Sequence, residues 1–186
     1  MEDGTPIAKK IDNGQLMLPT DDMERNMYWY VKNTLELRGY KHYEISNFAK
    51  RGYESKHNMN CWNQSHYFGF GVAAHSYRDI TRYSNTINIE EYIKNVKLGD
   101  IAKNRIIHEI QKEYDTEKEY MLLGLSKIKG VKINDFKAKF VKNPIYVFRY
   151  ELKKLSDENL IAVDANSIRL TPRGIDLANL VWEEFI

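Results

Sequence analysis

Residues 1–105 carry too few regular elements to close a sheet or cover both of its faces. One good amphipathic helix, a shorter one near Ile89–Val96, two strand-like runs and a long polar loop are all that the pattern offers there. Parallel strands need crossover helices on their faces, and a single strong candidate cannot supply them. The first twenty residues hold the turn formers Gly4, Pro6, Gly14 and Pro19 and read as an extended loop. From Thr20 the period becomes helical: Asp21 can cap with Glu24 as its reciprocal partner. Met23, Met27, Val31 and Leu35 then form one stripe, which Gly39 closes. Lys41–Asn47 and Tyr67–Val72 are the expected strands, with a polar loop over 49–65 between them. A helix near Ile89–Val96 leads into a charged connector, Lys97–Tyr114. Taken alone, this half reads as the end of something larger.

The second half has a different rhythm. Thr116 with Glu119 suggests a capping box opening a helix that runs through Leu122, Leu123 and Leu125 to Gly130. Ile133, Phe136 and Phe140 mark a second helix. Asn143-Pro144 starts a third, striped by Ile145, Phe148, Leu152 and Leu155. Leu160–Val163 and Ser167–Leu170 flank an Asp-Ala-Asn turn and predict a hairpin. Thr171-Pro172 caps a last helix with the stripe Ile175, Ala178, Trp182 and Phe185. Three helices, a hairpin and a helix describe a winged-helix-like module. The expected division is 1–105 and 106–186.

Composition narrows the function classes. With 28 basic and 26 acidic residues the net charge is +2, so no global field draws the chain to nucleic acid or anionic membrane. The longest stretch free of charge or strong polarity, Phe68–Ala74, is too short to span a bilayer. A polar, acidic start, Met1-Glu2-Asp3-Gly4, argues against a secretory signal and predicts a cytoplasmic protein. The single cysteine, Cys61, excludes internal disulfides, a cysteine-only zinc site and an iron–sulfur cluster held by this chain alone.

Four clusters carry chemistry. Tyr43-Glu44-Ile45-Ser46-Asn47-Phe48-Ala49 places polar groups at a strand end, where open sheets meet ligands, or is simply a strand with a capped exit. Lys56-His57-Asn58-Met59-Asn60-Cys61-Trp62 brings an imidazole, a thiol and an indole into one segment. Imidazole and thiolate are common axial haem ligands, although a loop histidine is also often just solvated. Gly69-Phe70-Gly71-Val72-Ala73-Ala74-His75-Ser76 offers small residues that let backbone approach a ligand or a neighbouring helix. It is not a dinucleotide fingerprint, because the third glycine and the following acid are missing. Between Ser126 and Lys154, nine basic residues face two acidic ones, a local balance of +7 that fits a DNA-binding helix or a solvated face.

Read in order, Tyr43–Ala49, His57-Asn58, Gly69-x-Gly71-x-Ala73-Ala74-His75-Ser76-Tyr77 and Leu170-Thr171-Pro172-Arg173-Gly174 resemble the C-terminal half of a known family. It is that of the radical-SAM oxygen-independent coproporphyrinogen III oxidases, and the nearest branch is the HemW-type haem chaperones. The resemblance runs from Glu2-Asp3-Gly4-Thr5-Pro6 to the final helix. It implies an α+β or α/β chain: the terminal part of a partial (β/α) barrel, then a helical, winged-helix-like domain. For the parent it implies a [4Fe–4S] cluster, S-adenosylmethionine and haem. The cluster's Cys-x-x-x-Cys-x-x-Cys motif is absent here, so the resemblance implies an inert fragment with no catalytic residue of its own.

The branch is chosen by the loop. Chaperone-type members carry His-Asn-x-x-Tyr-Trp where oxidases tend to have Arg-Asn, and this chain keeps His57, Asn58 and Trp62 but has Cys61 in place of the tyrosine. His75 is also chaperone-like. The resemblance therefore implies haem or porphyrin as ligand and haem-accepting proteins as partners, with no nucleic acid. The alternatives are a fragment of a true oxidase and, more distantly, a winged-helix nucleic-acid or protein-binding module. His57, Asn58, Cys61 and Trp62 are the implied haem contacts. His57 is the expected iron ligand, Asn58 a candidate to orient its imidazole and Cys61 the rival ligand. Gly69, Gly71, Ala74 and His75 are the implied edge of the S-adenosylmethionine pocket in the intact parent.

Overall fold

The computed structural model describes residues 3–186; Met1 and Glu2, with which the expected Glu2–Pro6 segment begins, lie outside the described residues. The chain separates into two compact units, one ending at Lys41 and one spanning His42–Ile186. In the first unit the expected extended start contains a short helix, α1 (Pro6–Asp12), capped by Thr5 with proline in the first turn. Proline suits that position because its missing N–H would have no helical partner anyway. Helix α2 (Asp21–Leu37) follows, with Thr20 rather than Asp21 as N-cap: its side chain accepts from Met23 N. Asp21, Asp22 and Glu24 fill the first turn, where the helix dipole favours negative charge. No residue of α2 is buried, and Met23, Met27 and Val31 of its apolar stripe are exposed.

The second unit opens with a hairpin, β1 (Lys41–Glu44) and β2 (Asn47–Ala49), where the sequence pattern predicts one strand. The chain turns at Ile45-Ser46, with Glu44 Oε2 accepting from Ser46 N at 3.3 Å. The polar segment that follows contains helix α3 (Lys56–Trp62). Tyr67–Val72 is not a strand; it touches the sheet by one bridge, Tyr67 to Tyr77. The strands are β3 (His75–Arg78) and β4 (Thr81–Asn85), paired antiparallel with His75 opposite Ser84. Helix α4 (Ile89–Lys97), capped by Asn88, and a 3-10 turn at Ile101–Asn104 lead to β5 (Arg105–Ile110). That strand, which lies within the expected charged connector, pairs antiparallel with β4 across an irregularity at Arg82/Tyr83.

The remainder is the helical module. Helix α5 (Glu113–Leu125) starts before Thr116, whose hydroxyl donates back to Lys112 O, so no Thr116–Glu119 capping box forms. Strand β6 (Val131–Lys132) precedes α6 (Ile133–Phe140). The Asn143-cap helix breaks at Phe148 into α7 (Pro144–Val147) and α8 (Arg149–Asp157). β7 (Ile161–Val163) and β8 (Ser167–Leu170) form the expected hairpin, and β8 also pairs with β6. The last stripe likewise breaks, at Leu177, into α9 (Pro172–Asp176) and α10 (Ala178–Glu183). Both breaks keep the stripe on one side, so Phe148, Leu152, Leu155, Val181 and Phe185 still converge with Met121, Leu125 and Phe136 in one apolar core. Phe148 meets Phe136 and Phe185 edge-on, at 6.1 and 5.4 Å between ring centroids. The chain is thus mixed α and β, and its described residues form no closed barrel.

Candidate functional site

Helix α3 is built by its caps. Ser55 Oγ accepts from Asn58 N at 3.2 Å and donates to Asn58 Oδ1 at 3.1 Å, tying down the first turn. The Asn58 amide oxygen is therefore directed at Ser55. His57 and Cys61 sit four residues apart on the same helical face, with Nε2 and Sγ 3.8 Å apart. His57 is exposed and Cys61 half-buried. The imidazole also meets Tyr67 edge-on, with ring centroids 6.2 Å apart. Trp62 buries its indole N–H with no acceptor among the described residues.

The other end of α3 is held more firmly. Gln64 N bonds Cys61 O and Ser65 N bonds Asn60 O, both at 2.9 Å. This double closure puts Gln64 at the left-handed position that usually takes glycine, and its φ is 51°. A side chain there costs about 1 kcal/mol of backbone strain. The glutamine is nevertheless only 3% exposed and fully engaged. Its amide nitrogen donates to Thr116 O (3.1 Å) and Glu119 Oε2 (2.8 Å) on α5. Both its amide oxygen and its backbone carbonyl accept from Lys139 Nζ on α6, at 2.9 and 3.1 Å. Glu119 also accepts from Arg82 on β4 and, at 3.0 Å, from Gln111. Gln111 in turn accepts from the Tyr77 hydroxyl at 3.2 Å. Beside this chain of bonds, Lys127 Nζ donates to Asn63 Oδ1 at 2.5 Å. Burial lowers the Lys127 ammonium to about 8, with nearby Asp135 opposing the shift, and burial lowers Lys139 as well.

The small-residue segment is organised by Asn85. Its side-chain nitrogen donates to Gly69 O at 3.2 Å and Gly71 O at 2.7 Å, while Gly71 N donates to the Tyr92 hydroxyl at 3.0 Å. The two glycines serve different ends. A Cβ on Gly69 would lie 2.2 Å from His75 O, so this glycine lets the chain pack against itself. A Cβ on Gly71 would meet nothing within 4 Å, but φ is +102° there. Ala74 is half-buried and His75 exposed, its ring stacked on His108 at 5.4 Å. Ser84 Oγ lies 2.7 Å from His108 Nε2. Asn85, Tyr92, Gln64 and His108 were not singled out by the sequence pattern, because their partners are distant along the chain.

Two other clusters resolve differently. In Tyr43–Ala49, Glu44 is 1% exposed and keeps one carboxylate oxygen without a hydrogen-bond partner among the described residues, whereas Ser46 and Asn47 are exposed. Much of the basic run is engaged within the molecule. Lys127 and Lys139 grip Asn63 and Gln64, Lys142 binds Glu113 and Glu117, Lys153 binds Asp157 and Lys154 binds Glu184. Among the described residues no three His, Cys, Asp or Glu side chains gather as a metal site, and no helix is long and apolar enough to cross a membrane.

Residues 115–177 match the HemN C-terminal domain family. Over all of its 186 residues the chain is 33% identical to the heme chaperone HemW of Lactococcus lactis and 37% identical to that of Bacillus subtilis, covering 48% of each. It is 32% identical to a mitochondrial radical S-adenosyl methionine domain-containing protein 1 of Danio rerio, over 70% of this chain and 31% of that one. The fold matches a solved Escherichia coli structure described as coproporphyrinogen III oxidase (HemN), a radical SAM enzyme. The TM-score is 0.67 at 16% identity, over 90% of this chain and 42% of the other. The chain thus spans about half the length of the relatives it matches. With residues 115–177 matching the HemN C-terminal domain and similarity to HemW from first residue to last, the chain resembles the C-terminal half of the HemW-type radical-SAM proteins.

Proposed function

We propose that this chain binds haem through the exposed face of α3 and serves a cytoplasmic protein that passes haem to acceptor proteins. The observation that carries the reading is the pairing of His57 with Cys61, an imidazole and a sulfur 3.8 Å apart on one accessible helical face. The chaperone names of whole-chain relatives support it. Two donors so close on one helical face would compete to hold the haem iron. His57 would hold the iron, Cys61 is the alternative, and Asn58 and Trp62 belong to the same helix.

In the complete protein, Gly69, Gly71, Ala74 and His75 border the S-adenosylmethionine pocket, with Gly71 the open position and Asn85 fixing both glycine carbonyls. A [4Fe–4S] cluster does not fit the residues present, since Cys61 is the chain's one cysteine. The boundary between the barrel-derived part and the winged-helix-like part lies near residues 105/106. Nucleic acid is not a partner in this reading, because many of the lysines that would meet phosphate are paired internally.

The test is a haemin titration of the 186-residue chain beside His57→Ala and Cys61→Ser. The expected result is a bound-haem absorption band that the histidine variant loses and the cysteine variant keeps. If both variants bind haemin as the unaltered chain does, α3 is not the site and the porphyrin-oxidase alternative takes its place.

A further inference from the structure

We propose that Gln64 is a positioning residue: its side chain clamps the C-terminal end of α3 to α5 and α6 and thereby sets where His57 and Cys61 stand. The inference rests on the haem reading of α3 and adds to it the means by which the HemN C-terminal domain acts on the site.

Residue and position are mismatched at the end of α3. The chain ends α3 with a left-handed residue, for which glycine is the unstrained choice. A glutamine stands there instead, at φ 51° and 3% exposure. Its backbone would close the helix equally well as glycine, so the closure does not explain the side chain. The contacts do: two amide donations to α5 and an amide acceptance from Lys139 on α6. Each partner belongs to the segment that follows residue 112, more than fifty positions away. Lys127 takes the adjacent Asn63 in the same way. Through Glu119 the clamp continues to Arg82 in the sheet that begins at His75. Gln64 stands three positions after Cys61, and one further helical turn reaches His57. A tilt at the clamped end therefore moves both donors together.

Gln64→Gly separates the two roles, since it keeps the backbone closure and relieves its strain while removing every side-chain bond. Gln64→Leu, which fills the space without donors or acceptors, serves as the companion. Two readings are taken on the 186-residue chain. The first needs no haem: Cys61 is the single thiol, so its rate of labelling by a disulfide reagent reports how firmly α3 is held. The second is the haemin absorption spectrum and affinity. We expect both variants to keep their helical circular dichroism, label several-fold faster, and bind haemin about tenfold more weakly with a displaced band, as outer-shell substitutions do at metal sites. An unchanged labelling rate in folded Gln64→Gly overturns the clamp. Faster labelling with an unchanged haemin spectrum and affinity overturns the positioning role. Absence of a bound band in the unaltered chain would instead sink the haem reading, with the labelling rate still deciding the clamp.

Discussion

The segment from Tyr120 to Phe185 and the segment from His42 to Gln111 are held together by different forces. Every buried residue of the main apolar cluster lies in the first of these, with Met121, Leu125, Val131, Phe136, Phe148, Ile168 and Val181 at 0% exposure. In the second, the buried side chains are mostly polar: Glu44, Gln64, Ser76, Ser84, Asn85, Asn95, Asn104 and Gln111. Its large aliphatics lie outside, as Ile106, Ile107 and Ile110 on β5 do. A packed apolar core resists disturbance because each residue touches many others. A polar scaffold depends on individual directional bonds, and breaking one leaves a buried group unsatisfied. The candidate site belongs to the polar segment, which makes its geometry specific and also dependent on its neighbour.

The largest effect should come from the apolar side. Phe148→Ala removes a ring packed against Phe136, Phe185 and Tyr114 and should cost about 3 to 5 kcal/mol. Chemical denaturation measures it. A loss under 1 kcal/mol would mean that this core does not govern stability.

Next is Glu119→Ala, which takes one acceptor from each of Arg82, Gln111 and Gln64 at once and should cost about 2 kcal/mol. Unlike the Phe148 variant, it should speed Cys61 labelling under native conditions. Equal labelling in the two variants would erase the distinction between the segments.

A smaller effect concerns pH. Lys127 is lowered to about 8 by burial, so between about pH 8 and the ordinary lysine value the unfolded chain binds more protons than the folded one. Stability should therefore rise as pH goes from 8 toward 10, Lys139 contributing in the same direction. Lys127→Met should flatten the rise. A stability that falls across this window in the unaltered chain would contradict the burial of that ammonium.

Local signals account for what could be read in the sequence. The stripe of α2, the Asn143-Pro144 and Thr171-Pro172 starts and the β7–β8 hairpin all follow from residues within one turn or one hairpin of each other. Strand β5 escaped because all six of its residues are exposed, which leaves no alternation to detect. Thr116 and Glu119 have the spacing of a capping box, but Glu119 is drawn into the bonds with Arg82 and Gln64, and the helix starts earlier. His57 and Cys61 were legible as candidate ligands by residue type, but not as neighbours on one helical face, because their segment reads as a loop. Gln64 was not, because its helical partners lie 52 and 55 residues away.

The most direct measurement is haemin absorption with the double variant His57→Ala/Cys61→Ser, which removes both donors from the exposed face of α3 while leaving Ser55, Gln64 and the apolar core in place. The account predicts that the bound-haem band disappears in a chain that stays folded by circular dichroism. A band of undiminished intensity at the same position would contradict it.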